Sequence, residues 1–442
     1  MHNIPSLTRL SRGALLVLGA IIVVALRGTQ ANATQLTTLY SFCAQQNCAD
    51  GRIPSGFLVR DAAGNYYGTT DLGGTHGDYG TIFELKATKQ GYSFVQLYSF
   101  CALANCADGI EAGSLILDVN GALYGTAPGG GVHSGGTIFR LVPDARHTKW
   151  KLETLYDFCS QANCVDGEGP TGITYSGAQN GKLYDGTSPI FGATAGGGVN
   201  NLPQGDGTAF KLVFVAGKTR RKEKVIYDFC SQLDCLDGRF PSGGLVMDKN
   251  GNLYGLTDNG GGALDGIAYE LSPSNPTYTE RTLYSFCQMQ QCADGKIPVG
   301  TVVMDSQGNL YGATLEGGEW LQGTVFEIVP PDINDPERIL HSFCPSNPCS
   351  DGATPETGLA LDGKGNIYGT TFAGGPAKDG VVYTLTTGGT GEYGIYSFCA
   401  LQNCADGSEP SGVTVDPSGN LFGATTTGGA NGSGGTLFEL TP

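Results

Sequence analysis

The chain has 442 residues, with 41 acidic against 25 basic side chains and a formal net charge of −16. So acidic a surface repels phosphate backbones, which argues against nucleic acid as a partner. With 71 glycines, 39 Tyr and Phe residues together and only 15% charged residues, the composition excludes a disordered chain and fits an all-β protein rich in tight turns.

In chain order, Met1–Arg12 carries Arg9 and Arg12 and no acid. Gly13–Leu26 is an unbroken apolar run, and Ala31-Asn32-Ala33 is a small-x-small sequence. A basic head, a short apolar middle and an Ala-x-Ala end predict a secretory signal peptide over 1–33, cleaved after Ala33. Fourteen apolar residues reach only about 21 Å as a helix, short of the roughly 30 Å core of a bilayer. No later stretch is apolar for long enough to cross a membrane, so no span is expected after cleavage. Its loss takes three arginines and no acid, leaving 22 basic against 41 acidic side chains. The expected location is secreted, periplasmic or extracellular.

From residue 34 to 442 one phrase returns seven times, as in FCAQQNCADG from Phe42 and FCALQNCADG from Phe398. The first cysteines stand at 43, 101, 159, 230, 287, 344 and 399, a period of 55–58 with one step of 71. Repeats therefore start near 37, 95, 153, 224, 281, 338 and 393. Each period holds four strand-like runs, here called a to d, separated by turn residues. In the fourth, Gly244–Asp248 is a, Asn252–Thr257 is b, Ile267–Leu271 is c and Arg281–Phe286 is d. The Asp-x-x-Gly-Asn between a and b, at Asp61, Asp248, Asp305, Asp362 and Asp416, suits a hairpin whose Gly and Asn tolerate positive φ.

Seven such modules predict an all-β, seven-bladed β-propeller with four-stranded blades. The repeat region opens on a strand d (Gln35 to Phe42) and finishes on a strand c (Thr436 to Thr441). The N-terminal strand is thus expected to complete the last blade, removing the free edges that a linear stack would leave.

The phrases LYSF before the cysteines, ADG after them, GLVMDxxGNLYG and the GGTVFE-like c strands resemble the GloVer tandem-repeat proteins, the choice-of-anchor family of extracellular proteins. The resemblance covers residues 36–442. It implies export and a propeller-like fold, and it implies no activity. The chain departs from the family in having no C-terminal sorting tail and in an insertion, Ser176–Ile190, between strands a and b of blade three.

Seven Cys-x4-Cys pairs in an exported chain predict seven local disulfides: Cys43–Cys48, Cys101–Cys106, Cys159–Cys164, Cys230–Cys235, Cys287–Cys292, Cys344–Cys349 and Cys399–Cys404. Zinc would need four Cys or His ligands, and only His76, His133, His147 and His341 are available beyond residue 33, so no metal site is expected. The aspartate after each second cysteine reads as a turn cap rather than as a member of a carboxylate ring. Asp248-Lys-Asn250-Gly-Asn252 lacks the downstream Glu of a Ca2+ loop.

In a propeller the d–a and b–c loops share one face. Blade-specific residues there are the candidates for ligand binding: Asp71, His76, Asp78 and Tyr79; His133; Asn200, Asn201 and Asp206; Asp258 and Asp265; Glu316, Glu319 and Trp320. Trp320 in particular could offer a sugar a flat apolar platform. On the opposite face, Lys218–Lys224 forms a basic c–d hairpin, expected as a solvated tip, with contact to an acidic envelope polymer as the sharper reading. No Gly-x-Ser-x-Gly, HExxH or P-loop occurs. The expected function is a non-enzymatic binding or scaffold propeller for a glycan or an envelope protein, without a cofactor. The alternative is a carbohydrate-active or lactone-cleaving enzyme using carboxylates at the channel mouth, with Ca2+ as an accessory.

Overall fold

The computed structural model describes residues 34–200, 205–275, 277–330, 337–391 and 393–441. The predicted signal peptide and Asn201 lie outside the described residues. Residues 34–441 form seven four-stranded antiparallel blades, the seven-bladed propeller expected from the repeats.

Strands b and c of each blade are sandwiched between neighbouring blades, so they are buried on both faces. Tyr66–Thr70 in strand b and Thr81–Leu85 in strand c of blade one are buried residue by residue. The outer strand, Gly91–Ser99, alternates exposed and half-buried positions along most of its length, as a strand with one wet face does. The glycine repeated in every LYG-type strand b makes room for an aromatic ring of strand c. A Cβ on Gly312 would lie 2.4 Å from Phe326 Cζ, and one on Gly68 would lie 2.5 Å from Phe83 Cζ.

Ring closure follows the predicted route. Gln35–Ser41 pairs antiparallel with Thr436–Thr441, from Gln35 opposite Thr441 to Ser41 opposite Thr436. The seam is also sealed by apolar contact. Phe42, Leu58, Tyr66 and Phe83 pack with Phe422 and Leu437 in one cluster, with Tyr66 stacked on Phe422 at 4.1 Å.

The insertion of blade three does not hang free. Tyr184 is fully buried and bonds through its backbone to blade two, its N–H donating to the Leu117 carbonyl and its carbonyl accepting from Val119 N–H. The Lys218–Lys224 hairpin is exposed at Lys218, Arg220, Lys222 and Lys224, as a solvated tip would be, but it is also docked on blade two. Arg221 N–H donates to the Leu155 carbonyl of blade two, its Nη2 to the Gly186 carbonyl of the insertion, and Arg220 pairs with the buried Asp157. Arg221 is buried in that contact, Arg220 stays exposed although paired, and Glu223 is half-buried.

Candidate binding face and channel

All seven cysteine pairs form the predicted disulfides. In every clip but Cys344–Cys349 both cysteines stand at positive φ, as at Cys43 (57°) and Cys48 (51°). The aspartate that follows each clip is its internal anchor. Asp108 accepts from Tyr98 Oη at 2.7 Å, Ala102 N–H at 3.0 Å and Leu103 N–H at 3.1 Å, and is fully buried. Asp50, Asp166, Asp237, Asp294 and Asp406 repeat this pattern. In blade six His341 takes the tyrosine's place, 2.8 Å from Asp351. These carboxylates are consumed by their own loops and form no ligand ring.

The second cysteine of each clip also ties the two loop sets together. The Cys48 carbonyl accepts from Gly74 N–H, Cys106 from Gly131 and Cys292 from Gly318, each glycine lying in a b–c loop. The clips and the glycine-rich loops therefore share one face, called the clip face below.

Two rings of side chains crown that face. On the clips stand Leu103 (56% exposed), Leu233 (82%), Met289 (54%) and Leu401 (57%). At the b–c tips Val132, Val199, Leu264, Trp320 and Leu321 are exposed as well. Trp320 is thus partly open to water, 44% exposed at its loop tip.

Inside these rings lies the channel mouth, made by the upper ends of strands a. The residue two after each Asp-Gly takes the left-handed conformation in every blade. It is Ile53, Glu111, Gly169, Phe240, Ile297, Thr354 and Glu409, with φ between 52° and 65°. Such geometry is costly for isoleucine. It is held because each N–H reaches a carbonyl of the preceding blade, as Phe240 does to Asp206 and Ile297 to Asp265.

The predicted residues divide accordingly. Asp71 stands in this mouth. It touches water, yet the walls crowd its carboxylate, and that desolvation together with the charge of Glu111 pushes it up to about 6. Asp258 is likewise raised by burial. Glu316 pairs with Lys296 at 2.7 Å, and Asp78 pairs with Arg52 while accepting Gly73 N–H at 2.6 Å. The Arg52 guanidinium lowers the Asp78 pKa. His76 sits 3.2 Å from the Ser99 carbonyl, and Asn200 donates to the Phe229 carbonyl at 2.8 Å. Asp206 and Asp265 lie beside the disulfides at Cys230–Cys235 and Cys287–Cys292, whose sulfurs are not available to a metal. Tyr79, His133 and Glu319 are exposed on separate loop tips. The structure thus spreads these residues around the face instead of gathering them.

Sequence reasoning missed the acids that do approach one another. Glu356 is raised by burial and then by the charge of Glu409, and Glu409 accepts from Thr426 Oγ1 at 3.0 Å. Lining up the seven repeats at Asp-Gly-x-x would have exposed Glu111 and Glu409.

Below the mouth the inner strands close to a waist. A Cβ on Gly300 would fall 2.2 Å from Gly358 N, and one on Gly56 would fall 2.1 Å from the Gly412 carbonyl oxygen. Phe57 of blade one crosses this waist, its ring passing Gly412 of blade seven to reach Gly358 of blade six. Beyond Phe57, toward the a–b hairpins, the channel widens into a cavity of about 850 Å3.

Seven stapled blades closed by the chain's own first strand define a seven-bladed propeller with one decorated face. The chain belongs to the Gloeobacter/Verrucomicrobia repeat family, whose model matches residues 24–189 and 174–363, as the resemblance implied. No curated protein matches it. The extracellular domain of BT4673, described as a one-component system of B. thetaiotaomicron, is similar with a TM-score of 0.53 at 14% identity. That match covers 92% of this chain and 40% of the BT4673 domain, so the chain spans about two fifths of that domain's length. The extracellular domain of BT3049 from B. thetaiotaomicron, described as a hybrid two-component system, gives 0.44 at 15% identity over 92% of this chain and 41% of that one. A Thermus thermophilus protein described as an oxidoreductase (glucose dehydrogenase), TTHA0570, gives 0.39 at 15% identity over 75% and 96%. At such identity the likeness to BT4673 bears on the fold alone.

Proposed function

We propose that this is an exported, non-catalytic binding propeller that holds a protein partner of the cell envelope on its clip face. One observation carries the reading: apolar side chains up to 82% exposed stand on loops made rigid by disulfides. Rigid loops lose little conformational entropy on binding, and exposed leucine and methionine gain from being covered. The acidic mouth inside the ring favours a partner with a basic patch facing it. Seven disulfides and no cysteine left over support export, since such bonds persist in oxidising compartments. No helix among the described residues is long and apolar enough to cross a membrane.

The test is site-specific photocrosslinking in cells, with the reactive group at Leu233 or, as control, at Lys249 in an a–b hairpin. A discrete protein adduct from Leu233 alone, lost when Leu103 and Leu401 become serine, is expected. Equal adducts from both sites, or none, would overturn the assignment. A glycan-array signal abolished by Trp320→Ala would move the partner to carbohydrate.

The second reading, glycoside cleavage, is favoured by the raised Asp71 beside Glu111, a pair drawn from two blades. It requires release of reducing sugar from a polysaccharide panel by the wild type and its loss in Asp71→Asn.

A further inference from the structure

The channel cavity beyond Phe57 opens on the face opposite the clips, and nothing in the reading above uses it. We propose that it is a binding site for a small neutral carbohydrate, of mono- or disaccharide size, stacked on Phe57.

The repeat itself singles out this place. Strand a carries one residue just before its apolar run. That residue is Phe57 in blade one, Ser114 in blade two, Gly172 in blade three, Gly244 in blade four, Thr301 in blade five, Gly358 in blade six and Gly412 in blade seven. A sevenfold scaffold needs a small side chain here, because the inner strands almost touch. A single aromatic ring in this register is therefore unexplained by the scaffold.

Blade three breaks the repeat at the same level. The insertion that follows its strand a places Ala178, Gln179 and Asn180 in the cavity wall. The two largest departures from symmetry, in blades one and three, thus meet around one space.

The chemistry of the lining selects the ligand. About 850 Å3 falls within the roughly 300–1,000 Å3 typical of small-molecule sites. The hydroxyls of Ser114, Thr174 and Thr301 and the carboxamides of Gln179 and Asn180 offer both donors and acceptors. Gln179 Oε1 has no hydrogen-bond partner among the described residues. The acids of the wall are already engaged. Asp305 accepts from Gln307 N–H, Asn309 N–H and Tyr311 Oη, and Asp362 accepts from Lys364 and Asn366 N–H within its own turn. A space that mixes aliphatic walls with neutral hydroxyls and carboxamides over one aromatic floor, its charges kept to the a–b hairpins, matches a pyranose, which presents hydroxyls at its edge and C–H groups on its face. A lipid would find too many polar groups, and the one cation of the lining, Lys364, lies in the a–b hairpin near Asp362, whose carboxyl pKa its charge helps to lower.

Saturation-transfer NMR on the purified full chain, with maltose, cellobiose and lactose as separate ligands, tests the site. At least one sugar is expected to receive saturation. Phe57→Ala and Gln179→Leu should each reduce the signal at least fivefold, and Trp320→Ala should leave it intact. Thermal melts of the variants separate lost binding from lost folding, and Gln179→Leu keeps the test decisive if Phe57→Ala unfolds. The proposal is overturned if none of the three sugars receives saturation, or if the signal survives both cavity variants. A signal removed only by Trp320→Ala overturns it too and places the sugar on the clip face.

Discussion

At Asp108 one carboxylate gathers a tyrosine hydroxyl and two backbone N–H groups, and six other blades repeat the device with small variations. Removing it leaves the Tyr98 hydroxyl and the Ala102 and Leu103 N–H groups without their shared acceptor. Asp108→Ala should therefore cost about 2–3 kcal/mol, read as a lower midpoint in urea unfolding with an unchanged slope. Glu223 behaves in the opposite sense. Burial in the outer strand of blade three, and then the charges of Asp166 and Asp228, push its carboxyl up to about 8, and Glu280 in blade four is pushed up to about 7. The folded protein thus keeps protons that the unfolded chain releases above an ordinary value of 4.5. Stability contributed by these groups is greatest below pH 4.5 and is lost as pH rises toward 8. Glu223→Gln should flatten that loss, raising stability at about pH 8.5 by on the order of 2 kcal/mol while changing little at about pH 4.5, measured by thermal melts across pH.

The repeated glycine of strand b shows what element-level sequence patterns can and cannot reveal. LYG and the VFE-type strand c are legible as two strands. That the glycine exists to receive the partner's aromatic ring is not, because the contact joins two strands across a loop of variable length. Gly312→Ala would force a methyl group to within 2.4 Å of Phe326 and should destabilise by about 1–3 kcal/mol, checked by denaturant unfolding. The clips and closing strands are readable for the contrary reason: the cysteine spacing and the order of runs at the chain ends are properties of the linear sequence. The basic hairpin is half legible. Its exposure is, but the docking of Arg220 and Arg221 is hidden until Asp157 and the Leu155 carbonyl, far earlier in the chain, are brought beside them.

For the whole molecule, ring closure makes the blades interdependent, since each apolar cluster is shared between neighbours. Deleting residues 34–41 leaves Thr436–Thr441 without its outer partner and uncovers Phe42, Tyr66 and Phe422. The truncated chain is expected to lose cooperative melting and to aggregate in size-exclusion chromatography. Export carries its own check: mass spectrometry of the mature protein should find Thr34 as the first residue. The candidate sites are only partly legible at this scale. Asp71 and Trp320 stand out because they sit in blade-specific loops. Phe57, Glu111 and Glu409 lie in the strand-a segments of their blades, which read as ordinary repeat, and only the radial position of those segments gives them meaning.

The pairing of Gln35–Ser41 with Thr436–Thr441 also sets an order of events in time. The strand that opens the repeat region has its partner at that region's far end, so it must wait for that partner until the seven repeats between them have been made. Throughout that interval blade seven is unfinished, and its exposed edge is open to any chaperone, or to any second copy, that offers a strand sooner.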